Sequence, residues 1–269
     1  MNSFHLGRIF FMTAQIFPIG GVRPENIAVV LVSPKNPGNV GSVARALKNM
    51  GLRDLRLVDP WPRVWLEAIR MACGAEDLLE EARIVTSLEE SLKDIQWTVG
   101  TTARTRRYHK DVFTPREMAG HIASLSRSNK VAFLFGSEKC GLTTEELSCC
   151  QQVVTIPTQE HFSSLNLAQA VLIMAWELSQ VRIDCCRQET RPALAPHREL
   201  HDLFMQMDEV LTDLEFLNPE NSRHMMLSIK SILNRKYLTN REVKLLRGIL
   251  RQISYKLSSA HDKIKNYTA

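Results

Sequence analysis

Several features are missing from this sequence of 269 residues, and each absence removes a class of function. No apolar run approaches the roughly 20 residues that a membrane-spanning helix needs, because charge or glycine interrupts every one. Neither G-x-G-x-x-G nor G-x-x-x-x-G-K-[ST] occurs, which disfavours a nicotinamide or nucleoside-triphosphate enzyme. The 6 cysteines include the adjacent pairs Cys149/Cys150 and Cys185/Cys186, with neither C-x-x-C spacing nor a disulfide framework. A reducing, cytoplasmic location is therefore expected. His197 and His201 lie four apart, but Arg198-Glu199-Leu200 between them does not fit H-E-x-x-H; the pair reads as solvated helix surface, and no metal is expected. The apolar patch Ile9 to Met12 has no small-residue cleavage pattern after it, so residues 1–25 read as an N-terminal extension and not as a signal peptide.

What is present suffices for a substantial core: 44% of the residues are hydrophobic, and the length suits one sizeable domain plus a smaller annex. The net charge of +5 implies a polyanionic partner only where the positive residues cluster.

From Asn26 onward strand and helix patterns alternate. Ile27 to Val32 is a β-branched run, followed by the loop KNPGNVG and a helix with Val40, Val43, Ala44, Leu47 and Met50 on one face. Leu55 to Val58, Ile84-Val85, Trp97 to Gly100, Val131 to Phe135 and Val153 to Ile156 supply five more strands. Ser87-x-x-Glu90 and Thr143-x-x-Glu146 are capping-box patterns, and Thr114-Pro115-Arg116-Glu117 joins a cap to a first-turn proline. About six strands alternating with helices predict an α/β domain over 26–184, built on a mainly parallel sheet flanked by helices. Residues 185–196 lack periodicity and read as a linker, and 197–269 as a small all-helical C-terminal domain.

Three strand-to-helix loops carry the polar residues that sit at helix mouths. In the third, Ser163, Ser164 and Asn166 precede a helix with Leu167, Val171, Met174, Ala175 and Leu178 on its buried face. Taken alone, the serines are also a natural N-cap. Cys140, with a distant His161, could suggest a thiol nucleophile, but a lone cysteine in a cap loop is more often structural.

Together the segments N-P-G-N-V-G-S-V-A-R-A (Asn36 to Ala46), F-G-S-E-K-C-G-L (Phe135 to Leu142) and I-P-T…S-S-L-N-L-A-Q-A-V (Ile156 to Val171) resemble the three signature motifs of the SpoU/TrmH branch of the SPOUT RNA methyltransferases. G-T-T-A-R-T-R (Gly100 to Arg106) and L-R-G-I-L (Leu246 to Leu250) resemble the TrmJ subgroup. The resemblance implies a tRNA ribose 2′-O-methyltransferase that uses S-adenosylmethionine, acts on the cytidine or uridine at nucleotide 32 of the anticodon loop, and works as a homodimer with its active site near the subunit interface. It also implies a SPOUT fold whose C-terminal segment, from Gly136 to about Asp184, forms a deep trefoil knot. The family pattern places the cofactor against Thr101, Thr102, Ala103, Gly136, Ile156, Ser163, Ser164 and Leu165, and assigns chemistry to Asn39, Arg45, Glu138, Ser164 and Asn166. Ser137 replaces an arginine common in relatives, and Gln159-Glu160-His161 replaces a more usual Asn-Pro run. A ribosomal-RNA enzyme of the same family and a non-catalytic RNA-binding module are the alternatives.

These roles make chemical sense. A ribose 2′-hydroxyl is a poor nucleophile that has to lose a proton as it attacks, so the site needs groups that orient the hydroxyl and manage the adjacent phosphate. Two basic clusters fit an RNA partner. Arg104, Arg106, Arg107 and Lys110 surround Tyr108, which suits phosphate contact with base stacking. Lys244, Arg247 and Arg251 recur at helical spacing opposite Leu246, Ile249, Leu250 and Ile253, as an RNA contact or as a solvated face.

Overall fold

In the computed structural model, which describes residues 21–61, 66–103, 112–159, 161–181, 192–218, 220–234 and 237–268, a seven-stranded sheet carries the architecture. Its strands are β1 (Ile27–Val32), β2 (Asp54–Val58), β3 (Arg83–Val85), β4 (Trp97–Thr101), β5 (Val112–Phe113), β6 (Val131–Phe135) and β7 (Gln152–Val154), in the order β3-β2-β1-β6-β4-β7-β5. Every pairing is parallel. The expectation of about six strands missed β5, a two-residue edge strand too short to leave a period-two signature. The strand expected over Val153 to Ile156 ends at Val154, where Thr155 turns its N–H to Phe113 O at 2.9 Å.

Helices cover both faces, as parallel sheets require. The chain forms α1 (Pro37–Asn49), α2 (Leu66–Ala72), α3 (Glu76–Glu80), α4 (Leu88–Leu92), α5 (Pro115–Leu125), α6 (Thr144–Ser148) and α7 (Leu167–Gln180). Alternate residues of β1 go to opposite layers: Ile27, Val29 and Leu31 pack with α1, α5 and α7, while Ala28, Val30 and Val32 pack with α4 and α6. Thr114 and Thr143 each close a complete capping box.

Two helix starts differ from expectation. The segment KNPGNVG has the composition of a loop, but α1 begins at Pro37, because the Asn36 side chain accepts from Gly38 N at 2.8 Å and Asn39 N at 3.3 Å. Gly41 is then needed inside the helix: a Cβ there would lie 2.0 Å from the main-chain oxygen of Ala68 in α2. The second is α7, capped by Asn166 and not by the serines, with Asn166 Oδ1 accepting from Ala168 N at 2.9 Å. Ser163 and Ser164 are left free of capping duty.

Three further helices follow, α8 (His197–Asp213), α9 (Ser222–Asn234) and α10 (Asn240–Thr268); α8 and α10 pack through Leu200, Leu203, Phe204, Val243 and Leu250, and Leu233 of α9 packs against that cluster. They are tied to the sheet. His197 N donates to Ile95 O at 2.6 Å, Asn234 Nδ2 donates to Ser148 O at 2.9 Å, and Tyr237 stacks on Trp97 with ring centroids 4.5 Å apart. His197 is therefore not the solvated residue expected from its spacing with His201; it is buried at the joint between α8 and the sheet domain. No described helix is long and apolar enough to cross a membrane. The expected knot passes through residues 160 and 182–184, which lie outside the described residues.

Candidate active site

The carboxyl ends of β4, β6 and β7 open into a cavity of about 240 Å³, the place where open parallel sheets hold ligands. All eight expected cofactor residues line it: Thr101, Thr102 and Ala103 beyond β4, Gly136 beyond β6, and Ile156, Ser163, Ser164 and Leu165 on the loop between β7 and α7. Thr101 Oγ1 donates to Leu134 O at 2.9 Å and Thr102 N to Val154 O at 3.0 Å, which pins the β4 end of the rim. Phe135, Leu142, Val154 and Leu167, not among the expected cofactor residues, add apolar wall, and Lys139 and Cys140 also line it. Gly136 is obligatory on steric grounds, since a Cβ would sit 2.0 Å from Gly141 C and 2.2 Å from Leu142 N. The loop between these glycines doubles back through Gly141, whose φ of +67° suits a residue without a side chain.

At the edge of this cavity, polar side chains from all three motifs form one hydrogen-bonded chain. Glu138, itself part of the cavity wall, accepts from Asn39 Nδ2 at 2.8 Å, from Lys35 N at 2.9 Å and from Asn36 N at 3.1 Å. Asn39 Oδ1 in turn accepts from Asn166 Nδ2 at 2.9 Å. Partial desolvation pushes the Glu138 carboxyl up, but the hydrogen bonds from Asn39, Lys35, its own main chain and Asn36 outweigh it and hold the group below the usual glutamate range. The carboxylate is thus anionic at neutral pH, with its oxygens committed to three donors. Main-chain donors carry no residue signature, so the parts of Lys35 and Asn36 in this arrangement were invisible to motif reading.

Arg45 is placed differently. It is exposed on α1, is not part of the cavity wall, and makes no hydrogen bond or ion pair with the described residues. Six residues at 100° each turn it about 120° away from Asn39 and carry it about 9 Å along the helix axis. Ser164 lines the cavity. Arg104, Arg106, Arg107, Tyr108 and Lys110 lie outside the described residues. In the second basic cluster, Arg247 is engaged by Glu199 at 3.1 Å and Asp202 at 3.6 Å, whereas Lys244 and Arg251 are exposed. Among the described residues, no group of three or more His, Cys, Asp or Glu has a metal-binding arrangement.

Comparison with known proteins adds the following. The model of the SpoU rRNA Methylase family matches residues 26–176, and that of the tRNA methyltransferase TrmJ C-terminal domain matches residues 198–263. A tRNA (cytidine/uridine/adenosine-2′-O-)-methyltransferase TrmJ from Pseudomonas aeruginosa (strain UCBPP-PA14) is 38% identical over 253 residues, which span 87% of this chain and 98% of the relative. A tRNA (cytidine/uridine-2′-O-)-methyltransferase TrmJ from Pectobacterium atrosepticum is 35% identical over 233 residues, 85% of this chain and 97% of the relative. Among solved structures, TrmJ from Z. mobilis ZM4 superposes with a TM-score of 0.75 at 33% identity, covering 84% of this chain and 98% of its own. A probable methylase family protein from Haemophilus influenzae Rd KW20 superposes with a TM-score of 0.57 at 32% identity, over 88% of this chain and 100% of its own.

Proposed function

The chain belongs to the SpoU rRNA Methylase family, and from that premise we propose that it is an S-adenosylmethionine-dependent tRNA 2′-O-methyltransferase acting on the ribose of cytidine or uridine, at anticodon-loop position 32. The observation that carries this reading is the chain from Glu138 through Asn39 to Asn166 at the edge of the cavity. The cavity suits the cofactor by its lining: the hydroxyl-bearing Thr102, Ser163 and Ser164 share it with the apolar Ile156, Leu165, Leu142 and Leu167, which fits a molecule with one flat apolar end and one zwitterionic end. When bound, S-adenosylmethionine supplies an electrophilic methyl group.

The residues of the chain then divide the remaining work. Glu138, whose two oxygens are both engaged by donors of the site itself, acts as a positioning residue and not as a base. It fixes the Asn39 amide so that its oxygen faces Asn166, and this in turn leaves each asparagine one free N–H with which to orient the ribose. Arg45 acts on RNA as a phosphate clamp that aligns the 2′-hydroxyl, since a guanidinium offers only N–H donors, set in a planar fork that matches a phosphate.

Arg45 points away from Asn39 of its own subunit, and this favours a homodimer in which the arginine of one copy serves the cavity of the other. Helix α7 exposes Leu172 and Trp176 at i, i+4 spacing, the latter by 51%, while Leu66 and Ile69 are exposed on α2. Both helices pack on α1, so an apolar face suited to a second copy surrounds the helix that bears Arg45. The RNA substrate and the free thiols of Cys73, Cys140, Cys149 and Cys150 agree with a cytoplasmic location.

The test is nucleoside mass spectrometry of unmodified tRNA and rRNA incubated with the pure protein and S-adenosylmethionine. A gain of 2′-O-methylcytidine or 2′-O-methyluridine in tRNA is expected, unaffected by chelator. Methylation confined to rRNA, or none at all, overturns the reading. Mixing Arg45→Ala subunits with Asn39→Ala subunits should restore part of the lost activity if the site is shared, and restore none if each subunit is complete alone.

A further inference from the structure

The loop between β7 and α7 displays one large apolar side chain for which the protein itself has no use. Phe162 is 80% exposed. An isolated apolar residue on a surface needs no explanation by itself. Phe162, however, immediately precedes Ser163, Ser164 and Leu165, all of which line the cavity, and it lies four residues before Asn166 of the hydrogen-bonded chain.

Its loop is held at both ends. Thr155 N is bonded to Phe113 O at 2.9 Å on one side, and Asn166 caps α7 on the other. Phe162 N closes a turn onto Gln159 O at 3.0 Å, so the backbone that carries the ring is positioned by its own hydrogen bond. A hydrophobic ring kept in water on an anchored loop, beside a site that has to receive a sugar, meets the physical requirement for stacking on an unpaired base.

We propose that Phe162 is a substrate-contacting residue that stacks on the nucleobase attached to the ribose being methylated. The inference deepens the reading of the site as an RNA 2′-O-methyltransferase and rests on it. The 2′-hydroxyl has to reach the rim formed by Ser163, Ser164 and the asparagines, and the base of the same nucleotide hangs from C1′, the carbon next to the one that bears that hydroxyl. Stacking uses the face of a base and not its hydrogen-bonding edges, so the contact would hold pyrimidine and purine alike and fix the ribose without reading sequence. It also favours a target in a loop, where a base can leave its neighbours at little cost.

The experiment measures steady-state methyl transfer by the full-length protein with tRNA and S-adenosylmethionine, alongside cofactor affinity and sedimentation. Base stacking on an aromatic residue is worth about 1–3 kcal/mol, so Phe162→Ala should raise KM for tRNA by about 5- to 150-fold, with cofactor affinity and oligomeric state unchanged. Phe162→Trp should keep KM within a few-fold of the parent. The decisive arm uses tRNA with an abasic residue, ribose intact, at the methylated position. The parent protein should lose the same factor on this RNA, and Phe162→Ala should lose nothing further.

Unchanged KM for Phe162→Ala overturns the proposal, as does a loss on the abasic RNA that adds in full to that of the variant. A shift of Phe162→Ala toward monomer also overturns it, by assigning the ring to an interface between copies. Absence of methyl transfer to any RNA by the parent protein would instead refute the function on which the inference rests, so the two failures are distinguishable. Ile84→Ser, at an exposed apolar residue on the opposite edge strand β3, serves as the control and should leave KM unaltered.

Discussion

The joint between the sheet and the C-terminal helices contains a titratable group in an unusual place, and its consequence is measurable. His197 is the first residue of α8 and only 8% exposed; its main-chain N–H is bonded to Ile95 O, and its Nδ1 is buried without a hydrogen-bond partner among the described residues. Burial, reinforced by the charge of His201 and by Lys230 and only partly opposed by Glu89, pushes its pKa from 6.5 down to about 4. Between these values an unfolded chain takes up a proton that the folded protein refuses. Stability is therefore full above about pH 6.5, falls as the pH drops from there toward 4, and loses no more to this residue below that. At 1.36 kcal/mol per pH unit the separation amounts to about 3 kcal/mol, a large part of the 5–15 kcal/mol that holds a typical domain folded. Carboxylates and other histidines also titrate over this range, so the parent has to be compared with His197→Leu, which fills the site with an apolar side chain and breaks no side-chain hydrogen bond to the described residues. Urea unfolding between pH 7.5 and pH 4, followed by circular dichroism, should show the parent losing about 3 kcal/mol more than the variant. Parallel pH profiles for the two proteins would refute the reasoning and mean that the joint opens and hydrates before His197 protonates.

Three other outcomes are expected. Gly136→Ala forces a methyl group into the main chain at Gly141 and Leu142, so a loss of about 3 kcal/mol in stability, or of measurable cofactor binding, should appear by thermal unfolding and calorimetry. Glu138→Gln keeps the size but replaces one of the two acceptor oxygens serving Lys35 N, Asn36 N and Asn39 Nδ2; methyl transfer should fall about 10- to 100-fold, with cofactor affinity far less affected. Lys244→Gln with Arg251→Gln should weaken tRNA binding and lower its log–log salt slope by up to about 2, whereas Arg247→Gln, which loses Glu199 and Asp202, should chiefly destabilise the packing of α8 on α10.

Apolar periodicity and cap patterns made most of the fold legible, because buried parallel strands and capping boxes depend on side chains that the sequence displays. Thr114 and Thr143 are examples: each needs only a glutamate three residues on, and both boxes are complete. The misreadings share a different cause. KNPGNVG looks like a loop because glycine disfavours helices, yet Gly41 lies inside α1 since Ala68 of α2 comes too close for any side chain. His197 looks like surface because its neighbours are polar, yet its main chain is bonded to Ile95, about a hundred residues earlier, and the side chain is buried. In each case the missing information is a long-range approach of backbone, to which local propensity is blind.

The same distinction applies to the candidate site. The three motifs supplied Asn39, Glu138 and Asn166 as separate polar residues, each assigned to chemistry without a stated role. Their order within the site depends on the two main-chain N–H groups of Lys35 and Asn36, which no residue type announces. Those donors change the chemistry expected of Glu138. A carboxylate whose oxygens are turned to Asn39, Lys35 and Asn36 is poorly placed to reach the 2′-hydroxyl, so the proton has to leave by another route, to solvent ordered by the adjacent RNA phosphate. Arg45, exposed and without a partner among the described residues, is then best used in gripping that phosphate, where its planar fork would align the acceptor with the hydroxyl. On this argument the rate of methyl transfer depends on the geometry of the phosphate more than on the titration of any protein side chain. A tRNA with a charge-neutral methylphosphonate 3′ to the target nucleotide should therefore react slowly with the parent and no more slowly with Arg45→Ala, and a fully additive loss would return the proton to a protein group.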